Sequence, residues 1–269
     1  MMSIEQQEVP QTNAIVLGAS VKDGTGWATA TRLAGMGAHV TVGARRIAGV
    51  SELARHIGGH AIACDVTVEA QVEAMVAAAV ETAGADLDIA VLAAGEGVSG
   101  TIDAIPAEEF ERCLALNYVG AVYFVRHAAR RMKPGGSIVL MSSIAATNPW
   151  PGYFAYGCAK AALQMLVQYA ALEYAPRGIR VNAVCPGPVA ALPGAQPMPA
   201  AISQLIDGAM PLRKRVTPDE VAQAVAWLAT GASSTTGDMI HLDGGLHLGR
   251  PPYPEEIKAA LANGRKEAP

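Results

Sequence analysis

At 269 residues, 51% of them hydrophobic, the chain can bury a large core, and its length suits one large domain better than two. Its formal charge of −4 comes from sparse charges of mixed sign, which excludes the basic footprint of a nucleic-acid or anionic-membrane partner and leaves small molecules as partners. Cys64, Cys113, Cys158 and Cys185 form no C-x-x-C pair, the start is polar, and no uncharged run reaches the roughly 18 apolar residues of a membrane span, so a cytoplasmic protein without disulfides or membrane helices is expected.

In chain order, β-rich runs alternate with longer Ala-rich amphipathic segments. The runs are NAIVLG (13–18), HVTVGA (39–44), HAIACDV (60–66), LDIAVLAAG (87–95), GSIVLMSS (136–143), IRVNAVCPG (179–187) and MIHLDGG (239–245). Nearly continuous apolar strands separated by helices predict an α/β chain. The expected architecture is a single-domain Rossmann fold, a doubly wound seven-stranded parallel sheet with helices on both faces. Residues 1–12 are then an N-terminal tail, 13–249 the nucleotide-binding catalytic domain, and 250–269 a C-terminal extension with one short helix started by Pro254 and the Glu pair.

The first strand runs into GASVKDGTGWATATRLAGMGA, where Gly18, Gly24 and Gly26 let the backbone approach a pyrophosphate and the next helix offers free N–H groups and a positive dipole end. Ser20 and Thr25 of the same loop are assigned to that site. After the second strand, Ala44 is followed by Arg45 and Arg46 instead of the acidic residue that would hold the ribose of NAD. Arg45 can pair with a 2′-phosphate, and Lys22 adds a second positive charge, so NADP(H) is favoured with NAD(H) left open. His56 and His60 flank a Gly-Gly that breaks helical spacing, and no metal site is expected.

The stretch YFAYGCAK (153–160) sets Tyr156 and Lys160 one helical turn apart on one face. A free tyrosine has a pKa of about 10, and a neighbouring ammonium together with a positive nicotinamide would lower it toward working pH. Ser143, at the end of the fifth strand, can hold a substrate oxygen while charge develops on it. Trp150, Tyr153, Glu96, Val98 and the Pro-, Ala- and Met-rich stretch 188–212, a candidate lid, are expected to shape the substrate pocket.

Read together, the glycine loop, CDV (64–66), LNYVG (116–120), MSS (141–143), YGCAK, RVNAVCPGPV and LDGG resemble the short-chain dehydrogenase/reductase family, from residue 13 to about 248. The resemblance implies that Tyr156 is the general acid/base, that Lys160 lowers its pKa and binds the nicotinamide ribose, and that Ser143 orients the substrate oxygen. It implies that Asn117 supports a proton-relay water beside the lysine. Asp65 and Val66 would meet the adenine, Ala94 and Gly95 the cofactor ribose side, and Pro186, Gly187 and Val189 the carboxamide. It also implies a homotetramer, with a dimer next; the segments 107–132 and 152–175 are apolar around most of their circumference.

The sequence departs from the family pattern in three places. Gly18 and Gly24 enclose five residues instead of three, Leu92-Ala93-Ala94-Gly95 replaces Asn-Asn-Ala-Gly, and Ala190 or Ala191 replaces a Thr. The long loop is similar to that of enoyl-thioester reductases, whose tyrosine lies seven positions before the lysine, where Tyr153 stands. Those enzymes carry another tyrosine in place of Ser143 and none in place of Tyr156. Tyr156 is therefore read as the acid and Tyr153 as pocket wall. The expected activity is an NADP-preferring interconversion of a secondary alcohol and a ketone. Enoyl-thioester reduction through Tyr153 is the alternative, and a noncatalytic NADP-binding regulator the third reading.

Overall fold

The computed structural model describes residues 12–190 and 199–264. Seven parallel strands form one sheet: β1 (Asn13–Leu17), β2 (His39–Ala44), β3 (His60–Ala63), β4 (Leu87–Leu92), β5 (Met132–Met141), β6 (Arg180–Pro186) and β7 (Met239–Leu242). Their order is β3-β2-β1-β4-β5-β6-β7, a doubly wound arrangement of the kind the alternating sequence pattern predicts. The chain winds outward from β1 to β3, returns to β4 and winds the other way to β7. That reversal opens a crevice above the carboxyl ends of β1 and β4, where such sheets bind ligands.

Helices cover both faces. Along β1 the side chains alternate, Ala14 and Val16 joining one apolar core while Ile15 and Leu17 join the other. The first core packs under α1 (Thr25–Gly35), α2 (Ile47–Ile57) and α8 (Pro218–Thr230). The second lies beneath α3 (Glu69–Ala83), α5 (Gly120–Arg130) and α6 (Phe154–Tyr174). Two faces to bury explain why β1 is apolar at every position but its first residue.

Several strands end earlier than their apolar runs. Residues 64–66 after β3 and 93–95 after β4 leave the ladder and line the crevice instead of pairing. At the other end, β5 starts four residues before its predicted run, because Met132 pairs with Leu87 ahead of an irregularity in the register. The predicted helical segment 107–132 is α4 (Ala107–Leu114) and α5 joined by a wider π-type turn at Ala115–Val119. Such turns are costly and gather at functional sites; Asn117 sits in this one.

Between β6 and α8 lies α7 (Ala200–Ala209), and the C-terminal extension carries α9 (Pro254–Gly264), the short helix its sequence predicts. Within the 188–212 stretch, residues 191–198 and with them Ala191 fall outside the described residues. Among the described residues no helix is long and apolar enough to cross a membrane.

Candidate active site

Backbone meets backbone at the head of the crevice. Gly18 takes φ +104°, and a Cβ there would collide with the main chain of Ala93 and Ala94; a Cβ on Gly26 would collide with the Gly18 carbonyl. The end of β1, the end of β4 and the start of α1 approach this closely because neither glycine has a side chain. Gly24 precedes α1 without any side-chain cap, and no acidic residue occupies the first turn. The leading N–H groups and the helix dipole are left to an anion from outside.

The cleft that results has a volume of about 980 Å³. This is ample for a dinucleotide, and the uncapped helix start fits its pyrophosphate. Of the residues assigned to a cofactor from sequence, Gly18, Ser20, Gly24, Thr25, Gly26, Arg45, Asp65, Val66, Ala94, Gly95 and Val189 line it. One Asp65 carboxylate oxygen accepts from the N–H and hydroxyl of Thr67, which fixes the turn after β3.

Lys22 is a correction. Its ammonium is turned to Glu52, 3.0 Å away on the exposed surface, and it does not line the cleft. The nearby carboxylate neutralises the charge that the sequence suggested for a phosphate. Pro186 and Gly187 stand behind the lining, where the Gly187 N–H donates to the Leu242 carbonyl of β7. Arg46, passed over in favour of Arg45, lines the cleft as well and donates to the Ser20 hydroxyl at 3.3 Å. Among the described residues neither arginine has a carboxylate partner. The signal was present in the sequence as the Arg-Arg pair that closes β2.

Tyr156 and Lys160, also assigned to the cofactor from sequence, stand outside the cleft lining; α6 brings the two together, with the ammonium 5.6 Å from the centroid of the phenol ring. Lys160 is 2% exposed and donates to the Met141 carbonyl at 2.8 Å. Burial without a countercharge pushes its pKa down to about 8. A Cβ on Gly95 would stand 3.1 Å from this ammonium and 2.9 Å from Asn117 Oδ1, so the lysine reaches the cleft wall across a bare glycine.

The Tyr156 ring packs on the apolar cluster of Val98, Cys113 and Ala155. Burial raises its pKa above the ordinary value, and the nearby Ser143 side chain acts in the opposite direction. Desolvation penalises charge on both groups, and the lowering expected from sequence draws on the ammonium together with a positive nicotinamide. Ser143, two residues past the end of β5, accepts from the Ala145 N–H at 3.2 Å, which holds its hydroxyl at the start of the following turn.

Asn117 stands on the same side of Gly95 as the Lys160 ammonium. Its Oδ1 accepts from the Glu96 N–H, and its Nδ2 donates to the carbonyls of Glu96 and Cys113. The amide staples the chain after β4 to the π turn. The staple supplies a tie at the place where the family's two asparagines are missing; Ala93 and Ala94 add theirs through their own N–H groups to the Leu17 carbonyl.

Among the residues expected around the substrate, Glu96 lines the cleft rim and pairs with Arg112 at 3.1 Å. Tyr153 is 41% exposed at the start of α6, and its ring flanks Gly97. Val98 is core, packed behind Tyr156, and forms no pocket wall, because the chain after β4 turns it inward. Trp150 packs on Ile144, Met210 and Leu246, joining the loop after Ser143 to the end of α7.

The family model described as enoyl-(acyl carrier protein) reductase matches residues 18–247. Glucose 1-dehydrogenase of Gluconobacter oxydans is 34% identical over 252 residues, covering 87% of this chain and 91% of that protein. The 3beta-hydroxysteroid dehydrogenase 1 of Eggerthella lenta is 36% identical over 248 residues, covering 87% and 93%. Among solved structures, a short-chain type dehydrogenase/reductase from Mycobacterium ulcerans superposes with a TM-score of 0.84 at 30% identity, covering 95% of this chain and 96% of that one.

Proposed function

The chain belongs to the short-chain dehydrogenase/reductase family of NAD(P)-dependent oxidoreductases, and within it we propose an NADP-preferring enzyme that interconverts a secondary alcohol and a ketone. The observation that carries the proposal is the pairing of Tyr156 with Lys160 on α6, with the Lys160 ammonium against Gly95 of the cleft wall. The nicotinamide cofactor, when bound, exchanges the hydride and, in its oxidised form, adds a positive charge.

The side chains divide the remaining work. In reduction, the Tyr156 hydroxyl gives its proton to the substrate oxygen, and the Ser143 hydroxyl holds that oxygen as charge grows on it. Lys160 stabilises the phenolate left behind. Its lowered pKa keeps it able to pass a proton onward near neutral pH. The backbone N–H groups opening α1 would hold the pyrophosphate, and Arg45 with Arg46 the 2′-phosphate. Hydroxysteroid and glucose dehydrogenases among the relatives favour a ring-borne hydroxyl as the substrate class.

A homotetramer, with a dimer next, fits the exposed Met165, Tyr169 and Leu172 that run along one side of α6. A cytoplasmic setting fits four free cysteines.

Changing Tyr156→Phe should lower kcat for ketone reduction by about 10³-fold, with NADPH affinity kept in a fluorescence titration. Normal turnover by that variant would refute the assignment. The description of the matching family model supports a second reading, enoyl-thioester reduction through Tyr153. NADPH consumption with a 3-oxoacyl and a 2-enoyl thioester, in Tyr156→Phe and Tyr153→Phe, separates the two.

A further inference from the structure

Helix α7 is poorly anchored by its own burial, since Ile206 is the single buried residue within it. Its position is therefore set by what touches it, and three neighbours do. On the inner side, Met210 just past its end is buried with Ile144 and Leu246, and Trp150 and Ala209 pack on that cluster. This ties α7 to the loop that starts at Ser143 and ends at Tyr153.

From the following segment, Arg215 reaches back into the helix. Its Nε donates to Asp207 Oδ1 at 2.6 Å and its Nη2 to the Ser203 hydroxyl at 2.7 Å, from a side chain only 17% exposed. The next residue, Val216, pairs with Val189, and its carbonyl accepts from the Ala190 N–H; both partners line the cofactor cleft. On the outer side α9 packs against α7. The half-buried residues of α9, Glu256, Ile257, Ala260 and Leu261, share one face. The start of α9 is itself pinned: Glu256 accepts from the Tyr253 N–H and from both Nη atoms of Arg250.

We propose that α9 and Arg215 are positioning elements that clamp α7 over the substrate, which makes the C-terminal extension a specificity element of the enzyme. The inference rests on the oxidoreductase reading above and on the place of α7 beside the loop that carries Ser143. Ile257 and Leu261 brace the helix from outside, and Arg215 holds it to the strand-end residues of the cofactor cleft. Bulky substrates, which lean on α7, feel the clamp more than small ones.

The test uses full-length protein carrying Ile257→Ala with Leu261→Ala, or Arg215→Ala. KM for a bulky cyclic ketone should rise about tenfold, with kcat and NADPH affinity within about twofold of the parent. Arg215→Lys should recover part of the loss. An unchanged KM, or NADPH affinity falling in parallel, overturns the proposal, because a merely structural brace would move both sites or neither. If the α9 variant does not fold, Asp207→Asn decides by the same KM comparison. Amide hydrogen exchange over residues 200–209 supplies a readout without turnover: faster exchange in the variants is expected, and exchange equal to the parent overturns the clamp. Should the parent reduce enoyl thioesters and no ketone, the reading of the reaction fails while the exchange comparison still judges the clamp.

Discussion

Around the cofactor cleft, three segments of main chain press on one another, Gly18 on Ala93 and Ala94, and Gly26 on Gly18. Beyond β6, α7 is held by one buried isoleucine, the Met210 cluster at its end, one arginine and a neighbouring helix. The first construction leaves no room for a methyl group and is rigid before any ligand arrives. The second is made of side-chain contacts that can be exchanged without disturbing the sheet. A common cofactor and a variable substrate call for that division, with the shared half built from backbone and the variable half from side chains.

The largest break in this contrast should come from Gly18→Ala. The left-handed φ and the contact with backbone on the far side give the new methyl nowhere to go. We expect a loss of about 3 kcal/mol or more in urea unfolding, together with loss of NADPH binding. A stable variant that binds NADPH would mean that the apposition yields easily.

Next comes Lys160→Met, which should abolish turnover while stabilising the cofactor-free fold at neutral pH. The folded pKa is depressed from 10.5 to about 8, so the buried ammonium costs stability below pH 8, and the cost fades as pH rises from 8 to 10.5. The gain in the variant at pH 7 should be up to about 3 kcal/mol, less whatever the bond to the Met141 carbonyl contributes. The thiols of Cys64 and Cys185, raised by burial, titrate in the same alkaline range. Cys64 cancels when variant and parent are compared at each pH, and Cys185, whose thiolate Lys160 stabilises, is raised further in the variant, so the difference should shrink toward pH 10.5. A difference that stays flat would show that the lysine is not desolvated.

A smaller effect should follow Arg45→Ala combined with Arg46→Ala, which we expect to weaken NADPH binding by about 30-fold and leave NADH binding nearly unchanged. Lys22→Ala should alter either by less than about twofold, because Glu52 already holds that ammonium. If Lys22→Ala costs as much as the arginine pair, the lysine leaves Glu52 on binding.

The smallest change should be Gly208→Ala in α7. A Cβ there meets nothing, and its φ is ordinary. A gain of about 0.5–1 kcal/mol is expected, opposite in sign to Gly18→Ala, and thermal unfolding of the two side by side compares the two constructions directly.

Much of the molecule was legible in residue order. Seven apolar runs became seven parallel strands of one sheet, since strands buried on both faces must be apolar and crossovers need helices between them. The glycine loop and the i, i+4 pair were legible because their meaning is local: a turn, a helix start, one face of one helix. The ends of the runs were not, because residues 64–66 and 93–95 serve the cleft they line more than the ladder. Val98 read as pocket and is core; Lys22 read as a phosphate ligand and is spent on Glu52. In each case the partner is distant in sequence, and nothing local announces it.

Residue order alone thus determined the fold class, the family, and the shared helix face of Tyr156 and Lys160, since periodicity and short spacings act within a few residues. Tertiary structure decided what those side chains experience. Burial pushes Tyr156 up and Lys160 down, the Asn117 amide is spent on Glu96 and Cys113, and the C-terminal helix comes to rest on α7. Desolvation and partner choice depend on which distant segments close around a group, and those are set only when the chain has folded.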